Sequence, residues 1–205
     1  MAEKRKVNIL AILPIVIFAG LVAAFLLPGL GRDDPNNIPS TRVGSPAPAL
    51  FVGEDQAAGT GFNDDTLRSP SYYAVNRQLV AGPGFNDDTL RSPGIKMVNF
   101  WASWCGPCRA EHPNLMKLSE GGLRIYGVNY KDRPEDAARF LAGLGDPFTA
   151  ILSDTKGRNG IEWGVTGVPE SMLIDSNGVI LWHFRGPITQ SIIDKQIQPI
   201  LDANK

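Results

Sequence analysis

Hydrophobic and polar positions divide the chain into a long apolar run, a polar connector and a regularly alternating remainder. From Val7 to Leu30 the only polar side chain is Asn8, and the run contains Pro14 and Gly20. About 20 apolar residues span a bilayer as a helix, and proline is tolerated there because neighbours re-satisfy the freed carbonyl. Residues 1–30 are therefore expected to be a basic tip and a transmembrane signal-anchor. Gly31 to Pro48 is rich in Pro, Gly, Asn, Asp and Ser, the composition of a linker. From residue 49 onward the chain is assigned to one folded domain.

After Pro93 the pattern predicts elements one by one. Lys96 to Ala102 is an apolar run suited to a buried strand. Gly106 to Glu120 reads as a helix with Leu115 and Leu118 on one face, Pro113 as a kink and Gly121-Gly122 as its stop. Leu123 to Tyr130 is the next strand. Pro134 to Leu144 is a helix opened by proline, with Phe140, Leu141 and Leu144 apolar. Phe148 to Leu152 is a short apolar segment. Ser171 to Asp175 and Val179 to Phe184 are strands joined by the turn Ser176-Asn177-Gly178, a hairpin pattern. Ile188 to Ala203 closes the chain as a helix blemished by Pro199. Strands alternating with helices, then a hairpin and a helix, predict an α/β layered domain.

One feature interrupts this order. Gly61-Phe-Asn-Asp-Asp-Thr-Leu-Arg-Ser-Pro70 recurs letter for letter at Gly84 to Pro93. Stacked-repeat architectures need three or more units, so two copies do not make a solenoid. The expectation is a short duplication that leaves an inserted loop around 61–93. A partner-binding insertion containing Tyr72 and Tyr73 is the functional alternative.

Composition and charge narrow the function. Of 205 residues, 43% are hydrophobic, enough for a packed core, and the net charge is −1 with a pI near 6.1. Nothing electrostatic favours a nucleic-acid partner. Lys4, Arg5 and Lys6 precede the apolar run, so the basic end stays in the cytoplasm and the rest is exported. A cleaved signal peptide is the competing reading. Its apolar region is usually about 7–15 residues, and no small-x-small cleavage site closes this longer run.

The two cysteines of the chain are Cys105 and Cys108, flanking Gly106-Pro107. A pair this close closes almost no loop entropy, so it makes sense as chemistry rather than as a staple. The pair sits where a strand runs into a helix. The positive end of the helix dipole and its unpaired N–H groups favour thiolate over thiol there. The spacing puts the second sulfur one turn along, within bonding reach of the first. Cys105 is expected to be the exposed nucleophile and Cys108 the buried resolving thiol. Half of a zinc site competes, but no second pair exists, and His112 and His183 are the only histidines. Covalent haem attachment requires histidine after the second cysteine, where this chain has Arg109. A permanent structural disulfide remains a further alternative. No metal or cofactor is expected beyond the redox-active Cys105–Cys108 disulfide.

Val98-Asn-Phe-Trp-Ala-Ser-Trp-Cys-Gly-Pro-Cys-Arg-Ala-Glu-His-Pro113 resembles the active-site segment of the thioredoxin superfamily. Gly164-Val-Thr-Gly-Val-Pro-Glu-Ser-Met-Leu-Ile-Asp175 resembles its second signature, the cis-proline loop. Arg-Ala-Glu-His after the cysteines, Tyr126-Gly-Val-Asn-Tyr-Lys-Asp132 and Gly-Val-Pro-Glu are similar to the DsbE/CcmG group, membrane-anchored thioredoxin-like proteins of cytochrome c biogenesis. The resemblance covers Arg42 to the C-terminus apart from the inserted stretch.

That resemblance implies a thioredoxin fold, a central mixed sheet flanked by helices, behind the N-terminal transmembrane helix. It implies that Pro169 is cis and packed beside the cysteine pair, with Val168 offering backbone groups to a substrate strand. Trp104 would flank the nucleophile. Glu111 and Glu170 match acidic positions near the active site, and a buried carboxylate there could take the proton of Cys108. Arg109 is expected to be a solvated helix residue, and His112 and His183 structural. Thioredoxin itself usually has aspartate where this chain has Asn99, and asparagine is no base, so a relay must use Glu111, Glu170 or water. The Gly106-Pro107 dipeptide is that of thioredoxin rather than the subgroup's commonest pairs.

The implied function is a thiol–disulfide oxidoreductase of the bacterial inner membrane, its domain facing the periplasm and its anchor in the lipid bilayer. A membrane thiol-reductant transporter would supply electrons. Apocytochrome c, or a maturation protein holding it, would receive them. A general periplasmic reductase or oxidant is the alternative within enzymes. A non-catalytic assembly module of the cytochrome machinery is the alternative outside them.

Overall fold

The strand expected before the cysteines runs from Lys96 to Trp101 and is buried at every position. In the computed structural model, which describes residues 9–30, 40–50, 71–75, 78–82 and 85–204, this strand (β3) lies inside a mixed sheet. The other strands are β1 (Ser71–Val75), β2 (Gln78–Gly82), β4 (Arg124–Tyr130), β5 (Ala150–Asp154), β6 (Glu170–Ile174) and β7 (Ile180–Arg185). Among the described residues the order is β2-β1-β5-β4-β3-β6-β7. β3 pairs parallel with β4 and antiparallel with β6, β4 pairs parallel with β5, and β6 pairs antiparallel with β7. The resemblance to a thioredoxin-type mixed sheet is thus realised. Coverage on both faces explains why β3 reads as a continuous apolar run rather than an alternation.

Side chains alternate across β3, and the two faces serve different cores. Met97 and Trp101 join the cysteines, Leu115, Leu118, Phe140, Leu173 and Phe184 on one side. Val98 and Phe100 join Phe85, Leu90, Tyr126, Trp163 and Met172 on the other. Trp101 packs against Phe140 and Phe148, with ring centroids 5.2 Å away in each case. Gly127 makes room for that stack. A Cβ there would come within 2.8 Å of the Trp101 ring nitrogen and 2.9 Å of Phe148.

Helices α3 (Gly106–Glu120) and α4 (Pro134–Leu144) occupy the predicted ranges. Phe140 and Leu141 are buried as expected, whereas Leu144 is partly exposed. Pro113 lies inside α3 and faces outward. The predicted closing helix is broken into α6 (Gln190–Ile192), a π-helical turn (Ile193–Ile197) and α7 (Gln198–Ala203). Pro199 stands where the π-helical turn runs into α7, and because the backbone is helical on both sides its missing N–H removes one helix hydrogen bond there. A short helix, α5 (Arg158–Glu162), was not predicted.

Two expectations about chain organisation change. The chain divides into units Met1–Ile38 and Pro39–Lys205. The second half of the expected linker belongs to the folded unit. The Gly44 and Ala47 amides donate to the Ile180 and Gly178 carbonyls, Pro46 bridges Val179, and Ala47 and Leu50 are buried. Apolar positions among the prolines and glycines are what hold it there. The second copy of the duplicated decapeptide is likewise no surface loop. Phe85 and Leu90 are fully buried, and Asn86 caps the short helix α2 (Asp87–Leu90) by accepting from the Thr89 amide. Lys96 locks this segment in place. Its buried ammonium donates to the carbonyls of Leu90, Ser92 and Asp175 at 2.8–2.9 Å, and burial, with Arg124 nearby, lowers its pKa to about 8. The first copy, at 61–70, lies outside the described residues. β1 and β2, carrying Tyr72 and Tyr73, form a hairpin that meets β5 at Tyr72 and Ile151.

In the first unit, α1 (Ile9–Leu30) is a helix of 22 residues. Among the described residues no helix is long and apolar enough to cross a membrane, the side chains of α1 being described only over 13–24. Over that stretch Leu13, Ile15, Val16, Ile17, Phe18 and Leu21 are exposed on all sides.

Candidate active site

Cys105 and Cys108 form a disulfide at the N-terminus of α3. Cys105 is the N-cap, its sulfur accepting from the Cys108 amide at 3.1 Å. Pro107 occupies the first turn, where proline fits a helix start. Gly106 and Pro107 are exposed, and a Cβ on Gly106 would meet nothing within 4 Å.

The expected contrast in exposure does not hold in this oxidised form. Cys105 is 4% exposed and Cys108 is 2% exposed. The Val168–Pro169 bond is cis, and its loop covers the pair, with the Val168 carbonyl 3.5 Å from the Cys105 sulfur. The cysteines are distinguished by position instead. Cys105 stands at the helix tip facing Val168, and Cys108 lies one turn inside. Trp104 stands beside Cys105, 59% exposed, its ring N–H donating to the Lys131 carbonyl at 3.0 Å.

Glu111 follows Cys108 at i+3 on α3, on the same face. It is 1% exposed and accepts from Asn99 Nδ2 at 3.0 Å and from the Ile188 amide at 2.8 Å. Burial pushes its pKa up to about 7, against the pull of those two donors. Asn99 also donates to Ser171 at 2.9 Å, while its own carbonyl oxygen is unpartnered among the described residues. Turned over, the same amide would accept from a protonated Glu111. Asn99, no base itself, is therefore suited to either protonation state of the carboxyl beside it.

Glu170 has a different environment. One carboxylate oxygen accepts from the Thr166 amide and hydroxyl, each at 2.6 Å, and from the Gly167 amide at 3.1 Å. The other meets His183 Nε2 at 2.8 Å, with the Arg185 guanidinium 3.7 Å away. Burial alone would raise its pKa, but the His183, Thr166 and Gly167 hydrogen bonds outweigh it and hold the carboxyl below its ordinary value. This carboxylate is thus engaged by the cis-proline loop and by His183.

A redoxin model matches residues 87–197. The thiol:disulfide interchange protein HelX of Rhodobacter capsulatus is 40% identical over 192 residues, 94% of this chain and 95% of HelX. This chain belongs to the redoxin family, among the thiol:disulfide interchange proteins. DsbE of Escherichia coli K12 is 34% identical over 201 residues, 96% of this chain and 94% of that protein. Among solved structures, a DsbE from Chlorobium tepidum matches with a TM-score of 0.50 at 29% identity, covering 66% of this chain and 94% of its own. Family membership and the bonded cysteine pair make the chain a thiol–disulfide oxidoreductase.

Sequence reasoning missed several residues that shape this redoxin site. Asp132 is buried and accepts from the Ser103 amide and hydroxyl at 2.6 and 2.9 Å, and from Asn129 at 3.0 Å. It fixes the turn that presents Trp104 and Cys105. Only its place in the quoted Tyr126–Asp132 stretch marked it. Thr166 and His183 brace Glu170, and His183 Nδ1 meets the Ser40 hydroxyl at 2.7 Å. His112, expected to be structural, contacts the Gly145 carbonyl at 3.0 Å and lies edge-on to Phe140. Arg109 is exposed, its guanidinium over the Phe140 ring.

Proposed function

We propose that this protein is a membrane-anchored reductase facing the periplasm, which reduces disulfides during cytochrome c maturation. The observation that carries the reading is the Cys105–Cys108 disulfide, capped by Val168 on one side and followed one helical turn later by a carboxyl poised near pH 7. The DsbE resemblance supports the pathway. The anchor is supported by the sequence, in which Lys4 to Lys6 precede the apolar run from Val7 to Leu30.

The cycle balances as two-electron exchanges. A dithiol on a membrane thiol-reductant transporter becomes a disulfide as Cys105–Cys108 becomes a dithiol. The Cys105 thiolate then attacks the disulfide of apocytochrome c, or of the maturation protein holding it, and one target sulfur leaves and takes a proton. Glu111 accepts the Cys108 proton. The Cys108 thiolate attacks the Cys105 sulfur, re-forming the internal disulfide and releasing the target as a dithiol. The electrons travel through the cysteine pair itself, so the cycle calls for no cofactor.

Cys108→Ser tests this, because it stops the cycle at the mixed disulfide. The expected result is an adduct through Cys105 to apocytochrome c or a maturation partner. Absence of any adduct would defeat the redox reading. Adducts spread over unrelated exported proteins would replace the dedicated role with that of a general reductase.

A further inference from the structure

We propose that His183 and Ser40 are positioning residues for substrate disulfides, acting through the cis-proline loop. The inference rests on the redox reading above and extends it to residues far from the sulfurs. Ser40 is separated from His183 by 143 residues, yet its hydroxyl lies 2.7 Å from His183 Nδ1. The other ring nitrogen meets Glu170 at 2.8 Å, and the His183 side chain is wholly buried. Glu170 in turn gathers the Thr166 and Gly167 donors, the residues immediately before Val168. The chain of contacts therefore ends at the carbonyl that faces Cys105.

Each link has a physical reason. Glu170 and His183 lie diagonally across the β6–β7 pair, since Glu170 is opposite Arg185 and Met172 is opposite His183. A buried carboxylate needs several donors to stay ionised, and here most of them come from the loop it holds. Without His183, one carboxylate oxygen loses its closest donor, and the loop loses a fixed anchor. A substrate strand pairing with the Val168 backbone then meets a loop that must first be ordered, which weakens its binding. The sulfur chemistry itself, set at the tip of α3, is left intact.

The test compares a peptide with a small reagent. The full-length chain is assayed for turnover on a synthetic peptide carrying one Cys-x-x-Cys disulfide, with excess dithiothreitol re-reducing Cys105–Cys108 and the uncatalysed rate subtracted, and the reduced chain is assayed separately for Cys105 alkylation by iodoacetamide. His183→Phe is expected to raise the peptide KM about tenfold, with kcat and the alkylation rate within about twofold. His183→Gln, which keeps a donor for Glu170, is expected to restore KM. If a folded His183→Phe shows an unchanged peptide KM, or if alkylation slows in step with KM, positioning is overturned. Should His183→Phe fail to fold, Ser40→Ala carries the test: a rise in KM of about threefold supports the proposal, and no rise overturns it. A wild-type chain that alkylates at Cys105 but never turns over the peptide would overturn the redox reading beneath it.

Discussion

Glu111 and Glu170 are both 1% exposed, and they serve opposite faces of one sheet. Glu111 joins Asn99 on the face that bears the cysteines. Glu170 stands opposite Phe100, on the other face. Their environments drive their pKa values apart. Glu111 has two donors, too few to offset burial, and is raised to about 7. Glu170 has donors from Thr166, Gly167 and His183, and is lowered. Burial alone thus says little about what a carboxyl does. Glu111 also lies deeper from solvent than Glu170, and depth together with the donors aimed at a carboxyl sets which way its pKa moves.

The comparison breaks most visibly if Glu170 is removed. Glu170→Ala strands the Thr166 and Gly167 amides, the Thr166 hydroxyl and His183. Unmet buried donors and a lost charge network predict a loss of roughly 3 kcal/mol in denaturant unfolding. A loss below about 1 kcal/mol would mean that the loop holds without its carboxylate.

Glu111→Gln should do the reverse. The fold tolerates it, because an Asn99 amide turned over offers its oxygen to the new side-chain NH2. Glutamine takes no proton, so release of the mixed disulfide is expected to slow about a hundredfold near pH 7, the scale of a lost general base. Stopped-flow measurement of that single step would reveal it, and an unchanged rate would pass the proton role to water.

The pH dependence of stability sharpens the same contrast. Between about 4.5 and about 7, folded Glu111 keeps its proton while the unfolded chain gives it up. Stability is therefore fully present below 4.5 and declines as pH rises through 7, by about 3 kcal/mol from this group. Glu170 has the opposite sign. Its contribution is present above 4.5 and is lost only as pH falls below that value, so it is flat across the window. His112, lowered by burial despite its Gly145 hydrogen bond, opposes Glu111 below 6.5, but it is common to wild type and variant. The difference in unfolding free energy between Glu111→Gln and wild type should thus grow with pH across the window. A constant difference would place the Glu111 pKa outside it.

The two carboxylates also mark how far the sequence could be read. α3 and α4 appear in the predicted ranges because their starts and stops are local: proline in the first turn, glycine at the end. The cysteine pair is legible for the same reason, since three residues and a helix start define its chemistry. Glu170 matched an acidic position of the subgroup, but its role depends on Thr166, His183 and Ser40, which pattern alone does not connect. The duplicated decapeptide shows the limit most plainly. Its polar and turn-forming letters read as a loop, and the packing of Phe85 and Leu90 against β3 and β4 is what places the second copy in the core. The polar composition of 31–48 similarly hid Ala47, whose burial follows from a bridge to β7's approach at Val179.

The smallest expected effect isolates the Asn99 side of the comparison. Ser171 is fully buried, and its hydroxyl accepts from Asn99 Nδ2 at 2.9 Å, holding the amide that faces Glu111. Ser171→Ala leaves one Asn99 hydrogen unmet, at a cost of about 1 kcal/mol. The amide then turns more freely, and Glu111 loses part of a donor that favours its ionised form. Its pKa should drift upward, and mixed-disulfide release at pH 7 should slow about threefold, with full recovery at higher pH. The peptide KM should not move, because Thr166, Gly167 and His183 still hold Glu170 on the opposite face. A rise in KM without a change in the release step would mean that the two faces are not separable, since Ser171 follows Glu170 directly on β6.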